Sequence, residues 1–213
     1  MLSILEAAGW SIWPLLACSV LGLALVLERF YSLRAARVAP AGLLDEALRA
    51  ARVGLPAPEV IRQFEDHSVL GALLASGWRT LQLNPAASPA ELRSVLEANG
   101  RLAAARLQQN LTALGTIASA GPLLGLLGTV VGMIEIFGSQ GGASGLSGGA
   151  GNPAQLAQGI SVALYNTAFG LLVAIPALAC WRHLRARADA LLLELEIATE
   201  RFALLLCSAA ARH

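Results

Sequence analysis

Charge is almost absent from two long parts of this chain, and that constrains its fold more than any other feature. Glu6 is the only charged residue before position 28, and Glu135 is the only one between 107 and 181. The remaining charges fall in 28–106 and 182–213. Of 213 residues, 56% are hydrophobic and 14% charged, against about 25% charged in an ordinary soluble domain. Intrinsic disorder needs the opposite bias, and a plain soluble enzyme is disfavoured. A net charge of +1 offers no clustered basic surface, so nucleic acid is not an expected partner. All fifteen basic residues are Arg. Chemistry that needs a Lys, such as a Walker A loop or a Schiff base, is therefore excluded.

A spanning helix needs about 20 mostly apolar residues. Three segments qualify: 9–27, 114–137 and 159–181. The first has no basic lead and no evident cleavage site after it, so it is expected to be kept as a span. The segment between the first two spans carries ten Arg and the tail after the third carries five. The segment before the first span and the 138–158 loop carry none. The positive-inside rule then places the N-terminus outside and the long middle segment and the tail in the cytoplasm. Arg29, Arg34 and Arg37, with Arg182, Arg185 and Arg187, are the strongest topology markers.

The expected fold class is thus an all-α membrane protein with three transmembrane helices. Its second and third helices extend far into the cytoplasm. The expected organisation is a periplasmic N-terminus and first span (1–31), a cytoplasmic helical domain (32–113) and a second span (114–137). A periplasmic loop (138–158), a third span (159–181) and a cytoplasmic C-terminal helix (182–213) follow. The localisation that fits is a membrane crossed three times, with the middle segment and tail on the cytoplasmic side.

Ser88-Pro89-Ala90-Glu91 combines an N-cap, a Pro at N1 and a capping-box Glu. No clear stop follows before Gly138, which predicts one helix of about 49 residues, roughly 74 Å long. Asn152-Pro153 repeats the start signal, and the third helix is expected to run to about Ala210. Pro122 and Pro176 are expected helix bends. Segment 40–87 reads as shorter helices near 41–52, 57–66 and 68–83. The Gly/Ser-rich stretch 138–153 reads as a flexible connector. Cys18, Cys180 and Cys207 are odd in number and far apart, so neither a disulfide framework nor a metal site is expected. No cofactor is expected either.

At 100° per residue, Gly121, Gly125, Gly128 and Gly132 share one face of the second span, with Thr129 at its margin. On the third span Gly159, Ala163, Asn166, Gly170, Ala174 and Ala177 share a side, with Thr167 at its margin. Small residues let helices approach closely in lipid. Asn and Thr at membrane depth are costly unless they face protein, water or an ion path. Two readings stay open: tight helix packing, or a lined polar conduit. Thr and Asn cannot carry a proton by ionising, so a conduit needs a carboxylate from elsewhere. Glu135, the only acid in a span, lies near the outer end of the second helix, at an interface or in a water-filled mouth.

The two stretches AGPLLGLLGTVVGM (120–133) and GISVALYNTAFGL (159–171), with Phe137, Ala174-Ile175-Pro176-Ala177 and Glu28-Arg29, resemble the ExbB/TolQ/MotA group of proton-driven stator subunits. ExbB and TolQ are nearest; three spans argue against the flagellar MotA type. The resemblance implies a homopentamer whose second and third spans line a pore. An ExbD-like or TolR-like dimer of single-span helices would stand inside it and supply the titrating Asp. It implies a TonB-like or TolA-like protein as the further partner. Thr129 and Thr167 match the pore threonines, with Asn166 and Glu135 as further candidates for the proton path. Gly121, Gly125, Gly128, Gly132, Gly159, Ala163, Gly170 and Ala174 become the face for the partner helix and for helix packing. Val162 departs from the pattern, because many relatives carry Glu there.

The implied function is a proton-motive-force-driven subunit energising TonB-dependent outer-membrane transport, with no catalytic residues. Alternatives in the same class are TolQ-like envelope maintenance and a specialised secretion or gliding motor. Two rivals lie outside it. Gly142-Ala143-Ser144-Gly145 superficially resembles a rhomboid-protease motif, but His67, His183 and His213 fall in the other compartment. A non-conducting scaffold would make the Thr pair dispensable.

Overall fold

A computed structural model describes residues 12–141 and 153–210. The N-terminal lead, most of the Gly/Ser-rich connector and the Asn152 cap expected above lie outside the described residues. The described residues form eight α-helices and no strand. They are α1 (Ile12–Ser32), α2 (Ala35–Val38), α3 (Leu43–Val53), α4 (Pro58–His67), α5 (Val69–Leu83), α6 (Pro89–Gln108), α7 (Leu111–Gly141) and α8 (Pro153–Ala210). Three of them, α1, α7 and α8, are long and apolar enough to cross a membrane. The all-α membrane class is as expected.

The chain divides into two compact units. One comprises residues up to Glu28 with Asn110–His183, the other Arg29–Gln109 with the remainder from Leu184.

The first unit is built inside out by soluble standards. Its buried positions on α7 and α8 are mostly small: Ala118, Gly121, Gly125, Gly128, Ala163, Gly170, Ala174 and Ala177. Its exposed positions are large and apolar: Leu123, Leu127, Val130 and Ile134 on α7, and Leu164, Leu172 and Ile175 on α8. Water would penalise that surface at roughly 25 cal/mol per Å². Lipid does not, so the arrangement is stable only in a bilayer. On α1, Ile12 and Leu15 are buried while Val20, Leu21, Leu23 and Leu27 are exposed. Gly22 faces the Ile117 methyl of α7, where a Cβ would make ordinary contact at 3.5 Å.

The second unit buries what a soluble domain buries. Trp78 of α5 is fully enclosed. Phe64 of α4 and Phe202 of α8 meet its ring edge-on, each with centroids 5.2 Å away, the geometry favoured by aromatic quadrupoles. Leu184, Ala188, Leu191, Leu195, Ala198, Phe202 and Leu206 form the buried stripe of α8 in this unit, at the helical spacing of three and four. α5 packs on α4 and α6. The Ser88 hydroxyl accepts from the Glu91 N–H at 3.2 Å, so the expected N-cap of α6 is in place. Ser68 caps α5 in the same way, accepting from Gly71 at 3.0 Å. Gly54 takes a positive φ of 145° after α3, at the break expected from Gly54-Leu55-Pro56.

One expectation fails. The helix starting at Pro89 does not run unbroken to 137. α6 ends at Gln108, and Asn110 adopts a left-handed φ of 63° before α7 begins. Asn tolerates that region because its short side chain bonds locally. Here its amide donates to a Glu28 carboxylate oxygen at 3.4 Å. In the second unit, Arg29 is buried and donates to the carbonyls of Arg106 and Leu107, each at 3.4 Å. A cation there complements the orphan carbonyls and negative end of α6. Side-chain partners thus satisfy the break, which no Gly or Pro announced. Pro122 and Pro176 both lie inside helices, α7 and α8 respectively. The C-terminal helix runs from Pro153 to Ala210, as expected.

Candidate functional site

The two small-residue faces meet each other. Gly121 lies against Ala174 and Gly170: a Cβ on it would stand 3.1 Å from Ala174 Cβ and 3.2 Å from the Gly170 carbonyl oxygen. On Gly125 it would come 2.9 Å from the Asn166 carbonyl oxygen and 3.1 Å from Thr167 Cα. On Gly128 it would stand 3.0 Å from Asn166 Cβ. From the other side, a Cβ on Gly170 would stand 2.7 Å from the Gly121 carbonyl oxygen and 3.0 Å from Gly125 Cα. α7 and α8 therefore lie in close contact along about two turns, backbone to backbone at Gly121 and Gly125. Only residues lacking a side chain allow that approach.

The seam loosens towards one end. Gly132 faces Ala163 at an ordinary 3.9 Å, and Gly159 is covered by the flexible side chain of Ile136. At the other end the indole of Trp181 lies over Gly115, where a Cβ would stand 2.8 Å from Nε1. Gly115 lies off the four-glycine face, so the sequence pattern missed this contact. The available signal was a further Gly opposite the last aromatic of the third span.

The polar groups gather at the tightest part of this seam. Asn166 is 1% exposed, deep between the helices beside Gly125 and Gly128. The Thr167 hydroxyl donates across the seam to the Gly125 carbonyl at 3.5 Å, a long bond. Thr129, one turn further along α7, donates to the Leu126 carbonyl of its own helix at 2.7 Å. Both hydroxyls keep lone pairs for a further donor. Asn166 and Thr167 thus sit at the crossing, and Thr129 follows Gly128, which faces Asn166. Glu135 is not among them. It is exposed on α7, six residues beyond Thr129 or about 9 Å along the axis. Val162, at the departure from the family pattern, is half-buried on α8.

No group of His, Cys, Asp or Glu among the described residues could hold a metal ion. Cys18, Cys180 and Cys207 are unpaired thiols. What the site can do is bond a polar guest with hydroxyls and carbonyls. Among the described residues of α7 and α8 between 111 and 181, Glu135 is the one carboxylate, and it lies away from Asn166 and Thr167.

Comparisons with known proteins agree with this architecture. The model of the MotA/TolQ/ExbB proton channel family matches residues 65–197. The chain is 32% identical to biopolymer transport protein exbB1 of Vibrio cholerae, over 90% of this chain and 82% of that protein. It is 34% identical to a putative ExbB-like biopolymer transport protein of Synechocystis, over 81% of this chain and 79% of that one. It is 36% identical to the Tol-Pal system protein TolQ of Haemophilus influenzae, over 53% of this chain and 49% of that protein. The matched segment contains the whole α7–α8 seam, with Asn166 and both threonines, and the chain belongs to the MotA/TolQ/ExbB proton channel family.

Proposed function

We propose that this chain is an ExbB-like stator subunit driven by the proton-motive force. Five copies form a pore around a single-span ExbD-like dimer in the bacterial inner membrane, with the tail in the cytoplasm. The complex energises TonB-dependent transport across the outer membrane. The observation that carries the reading is the hydroxyl and amide cluster at the α7–α8 crossing, set in spans whose only acid, Glu135, lies outside it. Such a wall can solvate and bond a titrating carboxylate, but it needs that carboxylate from a partner. Thr129 and Thr167 act as hydrogen-bond partners of the partner Asp and its water. Asn166 holds the crossing polar, and Glu135 serves the outer mouth. The glycine seam fixes the pair of helices that present these groups to the partner helix.

The test is proton flux in proteoliposomes holding the chain with an Asp-bearing single-span partner. Thr129→Val with Thr167→Val is expected to lower flux about tenfold or more, two bonds of about 1 kcal/mol each being lost. The mass of the complex, five copies plus the partner dimer, should be unchanged. Unaltered flux in the double variant removes the threonines from the path. A monomer or dimer by mass refutes the pore.

A second reading, a TolQ-like subunit for envelope maintenance, is supported by the similarity to the Haemophilus protein over half the chain. Deletion separates the two: loss of TonB-type uptake supports the first, and detergent sensitivity with intact uptake the second.

A further inference from the structure

Two arginines share one tyrosine ring just after the first span, and a third binds the adjoining backbone. Arg37 donates from Nη2 to the Tyr31 hydroxyl at 2.6 Å, and its Cζ lies 4.0 Å from the centre of the Tyr31 ring. Arg34 Cζ lies 5.2 Å from the same centre. Arg187, from α8, donates through Nε to the Leu33 carbonyl at 2.9 Å, beside the backbone of Arg34. That bond uses one of five guanidinium N–H donors. All these residues belong to the second unit. Among the described residues of that unit, Arg79 pairs with Glu65 and Arg185 with Asp189. No carboxylate of the described residues lies within ion-pair distance of Arg34, Arg37 or Arg187.

The Arg34 and Arg37 heads, held over one ring without a carboxylate partner, repel each other, and more strongly where the dielectric falls. Ring stacking pre-orients both, so little freedom remains to be lost when an anion binds. Their place indicates which anion. Tyr31 and Phe30 end an apolar 21-residue helix and are about half exposed, as aromatics at headgroup depth are. A guanidinium fork matches phosphate oxygens in geometry and charge.

We propose that Arg34, Arg37 and Arg187 form a binding site for the phosphodiester headgroup of an anionic phospholipid, with Tyr31 orienting Arg37. This goes beyond topology marking, which needs only the sum of positive charge and neither a tyrosine nor a specific lipid. It rests on the chain being a membrane protein and not on proton transport, so flux and lipid binding can fail separately.

The test uses the full chain in detergent micelles, with retained lipid read by native mass spectrometry. Phosphatidylglycerol is expected to be retained in preference to phosphatidylcholine. Each arginine changed to Gln should weaken that retention about fivefold, the usual worth of one charge near an anionic surface. Tyr31→Ala should weaken it without removing any charge. The control Arg62→Gln, an exposed arginine on α4, should leave it unchanged. Far-UV circular dichroism establishes that each variant is folded. Equal retention of the two lipids overturns the proposal, as does equal weakening by Arg62→Gln and Arg34→Gln. Millimolar inorganic phosphate should fail to displace the lipid; displacement would assign the site to a soluble phosphate and overturn the lipid reading.

Discussion

Adding one methyl group at Gly125 should separate two membrane helices. In Gly125→Ala the new Cβ would lie 2.9 Å from the Asn166 carbonyl oxygen, 3.1 Å from Thr167 Cα and 3.3 Å from Gly170 Cα. All three neighbours are backbone atoms, so no rotamer change can relieve the contact. Ordinary contact begins near 3.4 Å, which requires the backbones to part by about 0.5 Å. A gap of that size forfeits about a quarter of the attraction of each contact along the seam. Overpacking of this kind costs about 1–3 kcal/mol, and the helix preference of Ala over Gly returns at most about 1 kcal/mol. The expected net loss is about 1–2 kcal/mol.

Gly128→Ala should cost less, because its Cβ meets mainly the Asn166 side chain, at 3.0–3.2 Å. Gly132→Ala, with its Cβ 3.9 Å from Ala163 Cβ, should be neutral or slightly stabilising. Unfolding in mixed micelles by dodecyl sulfate, followed by circular dichroism, ranks the three variants. If Gly132→Ala proves as damaging as Gly125→Ala, the close approach near Asn166 does not govern the stability of the pair.

Three further outcomes are expected. Gly100→Ala on α6, where nothing lies within 4 Å of the new Cβ, should stabilise the chain by about 0.5–1 kcal/mol in thermal unfolding. Asn110→Gly should be tolerated at its φ of 63°; Asn110→Val should cost about 1–2 kcal/mol in the same assay, because a β-branched residue resists that conformation. Phe202→Ala, emptying a fully buried site beside Trp78, should cost about 3–5 kcal/mol, seen as early loss of the near-ultraviolet tryptophan signal.

Much of the architecture was legible because it follows from physics along the chain. The spans could be read from the missing charge, and the start of α6 from Ser88, Pro89 and Glu91, since a cap is a local bond. The short helices were bounded by Gly54 and by Asn84-Pro85, which break helices whatever surrounds them. The four-glycine face of α7 was visible as a period, and a period says that something must come close. It does not say what: Asn166 and Gly170 of the same chain cover it. The dislocation at Asn110 was hidden for the opposite reason. Its conformation goes with distant partners, Glu28 for the Asn amide and Arg29 for the carbonyls of Arg106 and Leu107. Those side chains lie about 80 residues earlier, as the separations of 77, 78 and 82 show, beyond the reach of any local pattern.

The α7–α8 seam carries a consequence for how this pair can change over time. Gly and Ala give up no side-chain rotamer freedom when buried, so the two helices associate without that entropic loss. The same lack of rotamers removes every small adjustment by which an ordinary core absorbs a substitution. A larger residue on one helix cannot be matched by a smaller one opposite, because Gly170 and Gly121 are already at the lower limit of size. At Gly121, Gly125 and Gly170, where backbone meets backbone, the sequence is therefore confined to glycine by its own geometry. Diversity in these spans has to accumulate on the outward faces, at positions such as Leu123, Ile134 and Leu172.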